Sequence, residues 1–412
     1  DDVLARVPML SALQGLTGAQ VLFESHMHSS ERMTLAFLKT AVANGARVAN
    51  YLAVTDLLAQ GGRVEGARVR DRLGHDEFEI RARLVVNSAG PFVQQVNRSL
   101  PGLRLHHRLT GFSRGVHLVT RQLEPRYALA LTTRKKTEGL ITRGGRHFFV
   151  IPWRGRSLIG TTNVPVEGEL DQIRVTARDV TDFLQDINEA LPEANLAESD
   201  VHYAFTGIYP IIAREIKPDT YQGTGAFQIV DHAKKDGVQG IITALGAKFT
   251  TARRVAALAV DLAMKRLERR DPGCATSHTP LAEGEIPDIR AFVHQCQGRY
   301  AGLLAADVTD ELIRNHGREI NALVRLGRET STLEPVAPGR HTMVAEIEYA
   351  VRNEMARTLE DVVFRRTGLG TIGNPGREAL ERCAAIMAGH LGWDKDEQAR
   401  QLAMVEDRYR YR

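Results

Sequence analysis

The feature that most constrains this chain is a buried-looking run, Gly240 to Leu245, that feeds the turn Gly246-Ala247-Lys248 and continues into Phe249-Thr250-Thr251. Ile241, Ile242, Ala244 and Leu245 read as a strand, and Val255, Leu258, Ala259 and Leu262 recur at helical spacing. A strand that turns through glycine onto a helix presents unpaired backbone N–H groups and the positive end of a dipole. Such a site suits an anion or an electron-rich carbonyl oxygen, and Lys248 adds a full charge. The same six residues also fit an ordinary strand–helix turn with a surface lysine, so their neighbours must decide.

With 412 residues the chain is long enough for two or three domains with substantial cores. Its 43% hydrophobic and 25% charged content are those of a globular protein, and no internal repeat or low-complexity segment interrupts it. A net charge of +4 is mildly basic, but Lys and Arg are spread along the chain. No nucleic-acid stripe stands out, whereas a phosphate-bearing substrate or an anionic membrane face is compatible. Cys274, Cys296 and Cys383 are far apart and odd in number. They argue for a reducing compartment, against a disulfide framework and against a metal site. No run of about 18 apolar residues reads as a transmembrane helix, and the start, Asp1 to Arg6, has no signal-peptide pattern.

The first hundred residues read as α/β: a helix over Glu31 to Gly45, a strand over Ala46 to Val54, a hairpin from Val64 to Ile80, and a buried strand from Leu84 to Asn87. That last strand ends at Ser88-Ala89-Gly90-Pro91, where small residues permit either close approach to a ligand or simply a tight strand end. From Leu105 to Tyr209 the pattern becomes short strands of an antiparallel sheet, with a helix at Thr176 to Ala190. Beyond the linker Asp271-Pro272-Gly273, helices follow from about Pro287, with Val344, Ile347, Val351, Met355, Leu359 and Val362 on one face.

Several of these stretches, in this order, resemble the FAD-dependent glycerol-3-phosphate dehydrogenases. They are Val85 to Phe92, Arg114-Gly115-Val116-His117-Leu118, Phe149 to Trp153 with Ile159 to Asn163, Asp231-His232 with Asp236-Gly237, the lysine turn, Ala345 to Arg352 and Asp361 to Thr367. The resemblance implies an α/β fold (α+β overall). It divides into an FAD-binding part over 1–104, a substrate-binding antiparallel sheet over 105–210, an FAD-binding return over 211–270 and a helical domain over 287–412. It further implies FAD as cofactor and contacts to it from Val54, Ser88, Ala89, Gly90, Gly246, Lys248, Phe249 and Thr250. Substrate would meet Arg114, His117, Thr162 and Tyr209. His117 would serve as base and Lys248 would face the flavin's pyrimidine edge or the substrate, although a strand histidine is equally well structural. The implied acceptor is quinone or oxygen. The implied location is the cytoplasm, free or peripheral at the inner membrane face, with no nucleic-acid partner and the oligomeric state open.

The departures from the family pattern matter as much. Where the family carries Ala-Gly-(Val/Leu)-Arg-Pro-Leu, this chain has Thr206-Gly207-Ile208-Tyr209-Pro210-Ile211, so tyrosine replaces an arginine. A second arginine position falls on Gly225, Asn163 replaces an acid, Ala247 a glycine and Phe92 a tryptophan. Guanidinium forks recognise phosphate in a way tyrosine and glycine cannot. Arg114, Arg214 or Lys217 is then expected to supply replacement charge. The Gly-x-Gly-x-x-Gly turn that seats a pyrophosphate is absent; neither Gly61-Gly62 nor Gly144-Gly145 is one. By resemblance residue 1 falls after that fingerprint, which leaves a fragment or a divergent form, and these residues are expected to lack a complete pyrophosphate site. Three readings follow. The first is oxidation of glycerol 3-phosphate to dihydroxyacetone phosphate, or of a related hydroxylated substrate. The others are an amine or 2-hydroxyacid oxidase, and a non-catalytic binding relative.

Overall fold

The computed structural model describes residues 2–13, 15–100, 111–132, 147–166, 168–211, 227–246 and 248–411. Ala247, Gly225, Arg214, Lys217 and the Gly144-Gly145 pair lie outside the described residues.

Three sheets and a helical tail make up the architecture, as the α/β reading with an α+β whole requires. An antiparallel meander joins Leu52–Gln60, Arg63–Asp71 and Glu77–Arg81. A second sheet places Ile241–Leu245 between Gln228–Asp231, antiparallel, and Val85–Asn87, parallel. The third runs in the order Val201–Ile211, Gly111–Thr120, Arg156–Gly160, His147–Trp153, Leu129–Thr132, with Val164–Pro165 pairing beside Gly111–Thr120.

Alternation along Gly111–Thr120 sorts its side chains between two faces. Val116 and Leu118 are fully buried with Phe148, Val150 and Ile159 against the helix Ala177–Ala190, which contributes Val180, Phe183 and Ile187. Thr176 opens that helix with a reciprocal capping box to Asp179. His117 faces the other way.

Three boundaries differ from the sequence reading. The first strand begins at Leu52 rather than Ala46, because its antiparallel ladder partner ends at Asp71 and the chain enters through Tyr51 at φ 60°. Val86, expected buried, is 44% exposed. The apolar series from Val344 does not lie on one helix: Val344–Asn353 stops, Met355 takes φ 52°, and a separate π-helical stretch, Asp361–Arg366, carries Val362. Both pieces still bury Ile347, Val351, Leu359 and Val362 in one core.

The helix Ser30–Ala43 is tied to the tail by buried charge. Arg32 Nη1 reaches both Glu354 oxygens at 2.8 and 2.7 Å, its Nε donates to the Asn315 carbonyl at 2.6 Å, and its Nη2 lies 3.1 Å from His316 Nδ1. Lys39 stands among Glu283 at 2.7 Å, Glu354 at 3.4 Å and Glu319. Among the described residues these three carboxylates are the one group close enough to hold a metal ion, and the lysine ammonium occupies their midst. Burial works against the Lys39 charge, but the carboxylates outweigh it and raise its pKa.

Candidate functional site

Gly246 leaves the end of the buried strand Ile241–Leu245, and Lys248 is the N-cap of the helix Phe249–Arg266. The strand Val85–Asn87, parallel to Ile241–Leu245, delivers Ser88 and Gly90 to the same side. Opposite them comes the end of Val201–Ile211, the edge strand of the third sheet. Between these three elements lies a cavity of about 620 Å³. Ser88, Gly90, Tyr209, Gly246, Lys248 and Phe249 line it, with Ile208, Pro210, Ala252 and Val255 completing an apolar wall.

Six of the expected site residues are thus brought together, and the others stand apart. Ala89 and Thr250 flank the lining residues without forming it. Val54 sits in the meander, paired with Val69. His117 lies on the Tyr209 face of the third sheet, because it pairs with Phe205, four positions along the strand from Tyr209. At the usual strand rise that is about 14 Å. Thr162 accepts a hydrogen bond from the Val116 N–H at 2.9 Å and holds the sheet rather than facing the cavity.

Arg114 departs from expectation most clearly. Strand alternation puts it opposite Ile208 on the face away from His117 and Tyr209. There it makes two 2.6 Å hydrogen bonds to the Asp179 carboxylate. Burial works to raise the Asp179 carboxyl, but Arg114 and the Thr176 donors outweigh it and hold it below its ordinary range. Arg114 is engaged by the capping Asp179 and faces away from Tyr209.

The surroundings of His117 explain two glycines. Its ring stacks on Phe205 with centroids 5.1 Å apart. A Cβ on Gly160, its other cross-strand neighbour, would come within 2.0 Å of the His117 ring. One on Gly115 would meet the Thr161 hydroxyl at 2.2 Å. Burial pushes the His117 pKa down to about 4, so the imidazole is neutral near pH 7 and able to accept a proton.

Sequence reasoning also missed a contact. The Tyr209 hydroxyl donates to Asn163 Oδ1, so two separately noted departures from the family pattern are one hydrogen bond. Only the strand register could have joined them. A second cavity of about 390 Å³, bounded by Trp153, Arg154, Tyr203, Phe205 and Arg365, lies between the sheet edge and the tail.

Comparison with known proteins turns this geometry into kinship. The FAD dependent oxidoreductase family matches residues 1–262. The chain belongs to that family. The C-terminal domain of alpha-glycerophosphate oxidase matches 274–398, over the helical tail. The chain is 27% identical to glycerol-3-phosphate dehydrogenase of Synechocystis sp., over 94% of this chain and 70% of that protein. It is 30% identical to the probable mitochondrial glycerol-3-phosphate dehydrogenase of Caenorhabditis elegans, over 97% of this chain and 54% of that one. The aerobic enzyme of Bacillus subtilis is 29% identical over 89% of this chain and 64% of its own length. The chain therefore spans between about half and 70% of these relatives. Among solved structures, glycerol-3-phosphate dehydrogenase from Bacillus halodurans complexed with FAD superposes with a TM-score of 0.76 at 26% identity, covering 92% of this chain and 72% of that one. Among the described residues no helix is long and apolar enough to cross a membrane.

Proposed function

We propose that the protein is a flavin-linked dehydrogenase of glycerol metabolism that oxidises glycerol 3-phosphate, or a closely related hydroxylated substrate, to the corresponding ketone. The supporting observation is the cavity that gathers Gly246, Lys248 and Phe249 with Ser88 and Gly90, in a chain resembling glycerol-3-phosphate dehydrogenases through both its sheets and its tail. The division at 1–104, 105–210, 211–270 and 287–412 belongs to the same proposal, as do quinone or oxygen as acceptor. So does a cytoplasmic site, free or against the inner membrane face, which the three free cysteines suit.

The cavity suits the flavin end of FAD: it is apolar along Phe249, Ala252 and Val255, and carries a lysine ammonium at a helix N-terminus. Bound there, the flavin would take up the hydride from the alcohol carbon. The chain's own groups do the rest. Lys248 offers a fixed positive charge to negative charge developing at the cavity. The neutral His117, on the Tyr209 face but about 14 Å along it, would accept the hydroxyl proton of a substrate lying over that face. The Tyr209–Asn163 pair presents a neutral wall where a fork of charge would grip phosphate, so turnover of less charged alcohols should compete with that of glycerol 3-phosphate. The full-length protein should be yellow and bleach anaerobically on adding substrate. A colourless protein that takes up no FAD would overturn the proposal.

A further inference from the structure

One buried polar cluster remains outside the catalytic assignment. His232 and Asp236 lie beneath the second sheet, with His232 Nδ1 2.5 Å from Asp236 Oδ2 and both side chains all but fully buried. His232 Nε2 lies 2.8 Å from Thr243 Oγ1, in the strand that leads to Gly246. Asn97 Nδ2 lies 3.1 Å from the same hydroxyl. Asn87 Nδ2 reaches Asn97 Oδ1 at 2.8 Å, and the Ala89 backbone N–H reaches Asn87 Oδ1 at 3.2 Å.

These contacts form one connected set. A carboxylate only accepts, so His232 Nδ1 carries hydrogen. With Nε2 accepting from Thr243, that oxygen accepts from Asn97 Nδ2 at 3.1 Å and also lies 3.2 Å from Asn97 Oδ1. Asn97 presents its oxygen to Asn87 Nδ2, whose second N–H goes to the Val93 carbonyl at 2.9 Å, leaving Asn87 Oδ1 for Ala89. The Val93 carbonyl and the Ala89 N–H orient the Asn87 amide at one end, Asp236 orients the imidazole at the other, and Asn97 and Thr243 join the two. Asn87, Asn97, Thr243 and His232 are 4%, 1%, 0% and 0% exposed, so water is a poor substitute for any lost partner.

We propose that Asp236 and His232 are positioning residues for the cavity loop Ser88–Gly90, acting through Thr243, Asn97 and Asn87. The consequence for cofactor binding rests on reading that cavity as the flavin site; the positioning itself does not. The pair touches no cavity atom, yet it anchors the far end of the hydrogen-bonded set that holds Asn87, the acceptor of the Ala89 N–H, and so the backbone on which Ser88 and Gly90 project.

Thr243 supplies the test. Thr243→Val keeps the shape and removes the hydroxyl, whereas Thr243→Ser keeps the hydroxyl and removes a methyl. Hydrogen exchange of the Ala89 amide is measured on the 412-residue chain without ligand, with Thr309→Val in the tail as a buried-threonine control. The expected result is exchange faster by about tenfold in Thr243→Val and within about twofold of wild type in Thr243→Ser and the control. Should Thr243→Val not fold, Asp236→Ala, five hydrogen bonds from the Ala89 amide, should show the same acceleration. Wild-type exchange in the folded valine variant, or in Asp236→Ala if that variant must stand in, or serine behaving like valine, overturns the proposal. FAD affinity of the full-length variants is the second arm, expected to fall with valine and recover with serine. A wild-type protein that binds no FAD defeats the flavin reading while the exchange data still decide the positioning role.

Discussion

The helices Phe249–Arg266 and Arg377–Leu391 invite comparison because they are of similar length and treat their side chains differently. The first, of 18 residues, buries only Ala257 and Ala259; the second, of 15, buries Ala379, Leu380, Cys383, Ala384 and Met387. Around the first, Phe249 is 52% exposed, Val260 56% and Val86 44%. Around the second lies a continuous core from Val336 to Val405. Apolar burial at about 25 cal/mol per Å² is the main source of stability, so the tail holds itself together while the cavity side leaves apolar surface for something else to cover. The tail helix is set in a core and the helix beside the cavity is not, and substitutions should separate the two.

The largest effect is expected at the seam. Glu354→Gln removes the carboxylate that Arg32 bonds at 2.7 Å and leaves it only Glu283 at 3.7 Å, which should cost about 3 kcal/mol by urea denaturation. A loss confined to the tail transition would show that the halves are less coupled than the seam implies.

Acid should act next, and unequally. With the His117 pKa at about 4 against 6.5 unfolded, its contribution is complete above pH 6.5 and is lost as pH falls toward 4. Between pH 6.5 and 5 this amounts to about 2 kcal/mol. In the tail, burial lowers His316 to about 3 but raises Glu346 to about 8, and between pH 4.5 and 6.5 these two slopes oppose each other. The sheet half should therefore lose stability first, and His117→Asn should flatten its response. An acid response seated in the tail would reverse the comparison.

Lys248→Met should slow flavin reduction by about a hundredfold in the full-length protein with little change in melting temperature. Equal reduction rates would remove the lysine from the chemistry. The smallest effect is expected from Arg114→Met. Turnover should stay within about twofold while stability drops by about 1–3 kcal/mol, because its partner is Asp179. A selective loss of glycerol 3-phosphate turnover would return Arg114 to the substrate site.

Legibility in the sequence followed the range of each interaction. The lysine turn and the helix Ala177–Ala190, read as Thr176 to Ala190, rest on neighbours within a few residues, and local pattern exposes them; the Thr176 cap itself shows only in the structure. Periodicity also marked Ile347, Val351 and Val362 as core, although it could not reveal the break at Met355. What it missed depends on register: that Arg114 and His117 face opposite ways, that Gly160 makes room for the imidazole, and that Tyr209 meets Asn163 across 46 positions. The Asp231-His232 and Asp236-Gly237 pattern was visible, but its purpose appears only once Thr243 and Asn97 are folded beside it.

Lys39 among its three carboxylates has a consequence for upkeep. A divalent ion in that position would be lent by the medium and withdrawn by chelators, competing ligands or scarcity. The ammonium is a counter-ion on a leash, bonded to the helix it secures and present once in every molecule made. EDTA should leave the seam untouched, and so should changes in magnesium or calcium supply. With its side chain 18% exposed, the amine is poorly placed for reagents that would erase its charge, so the joint needs neither loading after synthesis nor reloading in use.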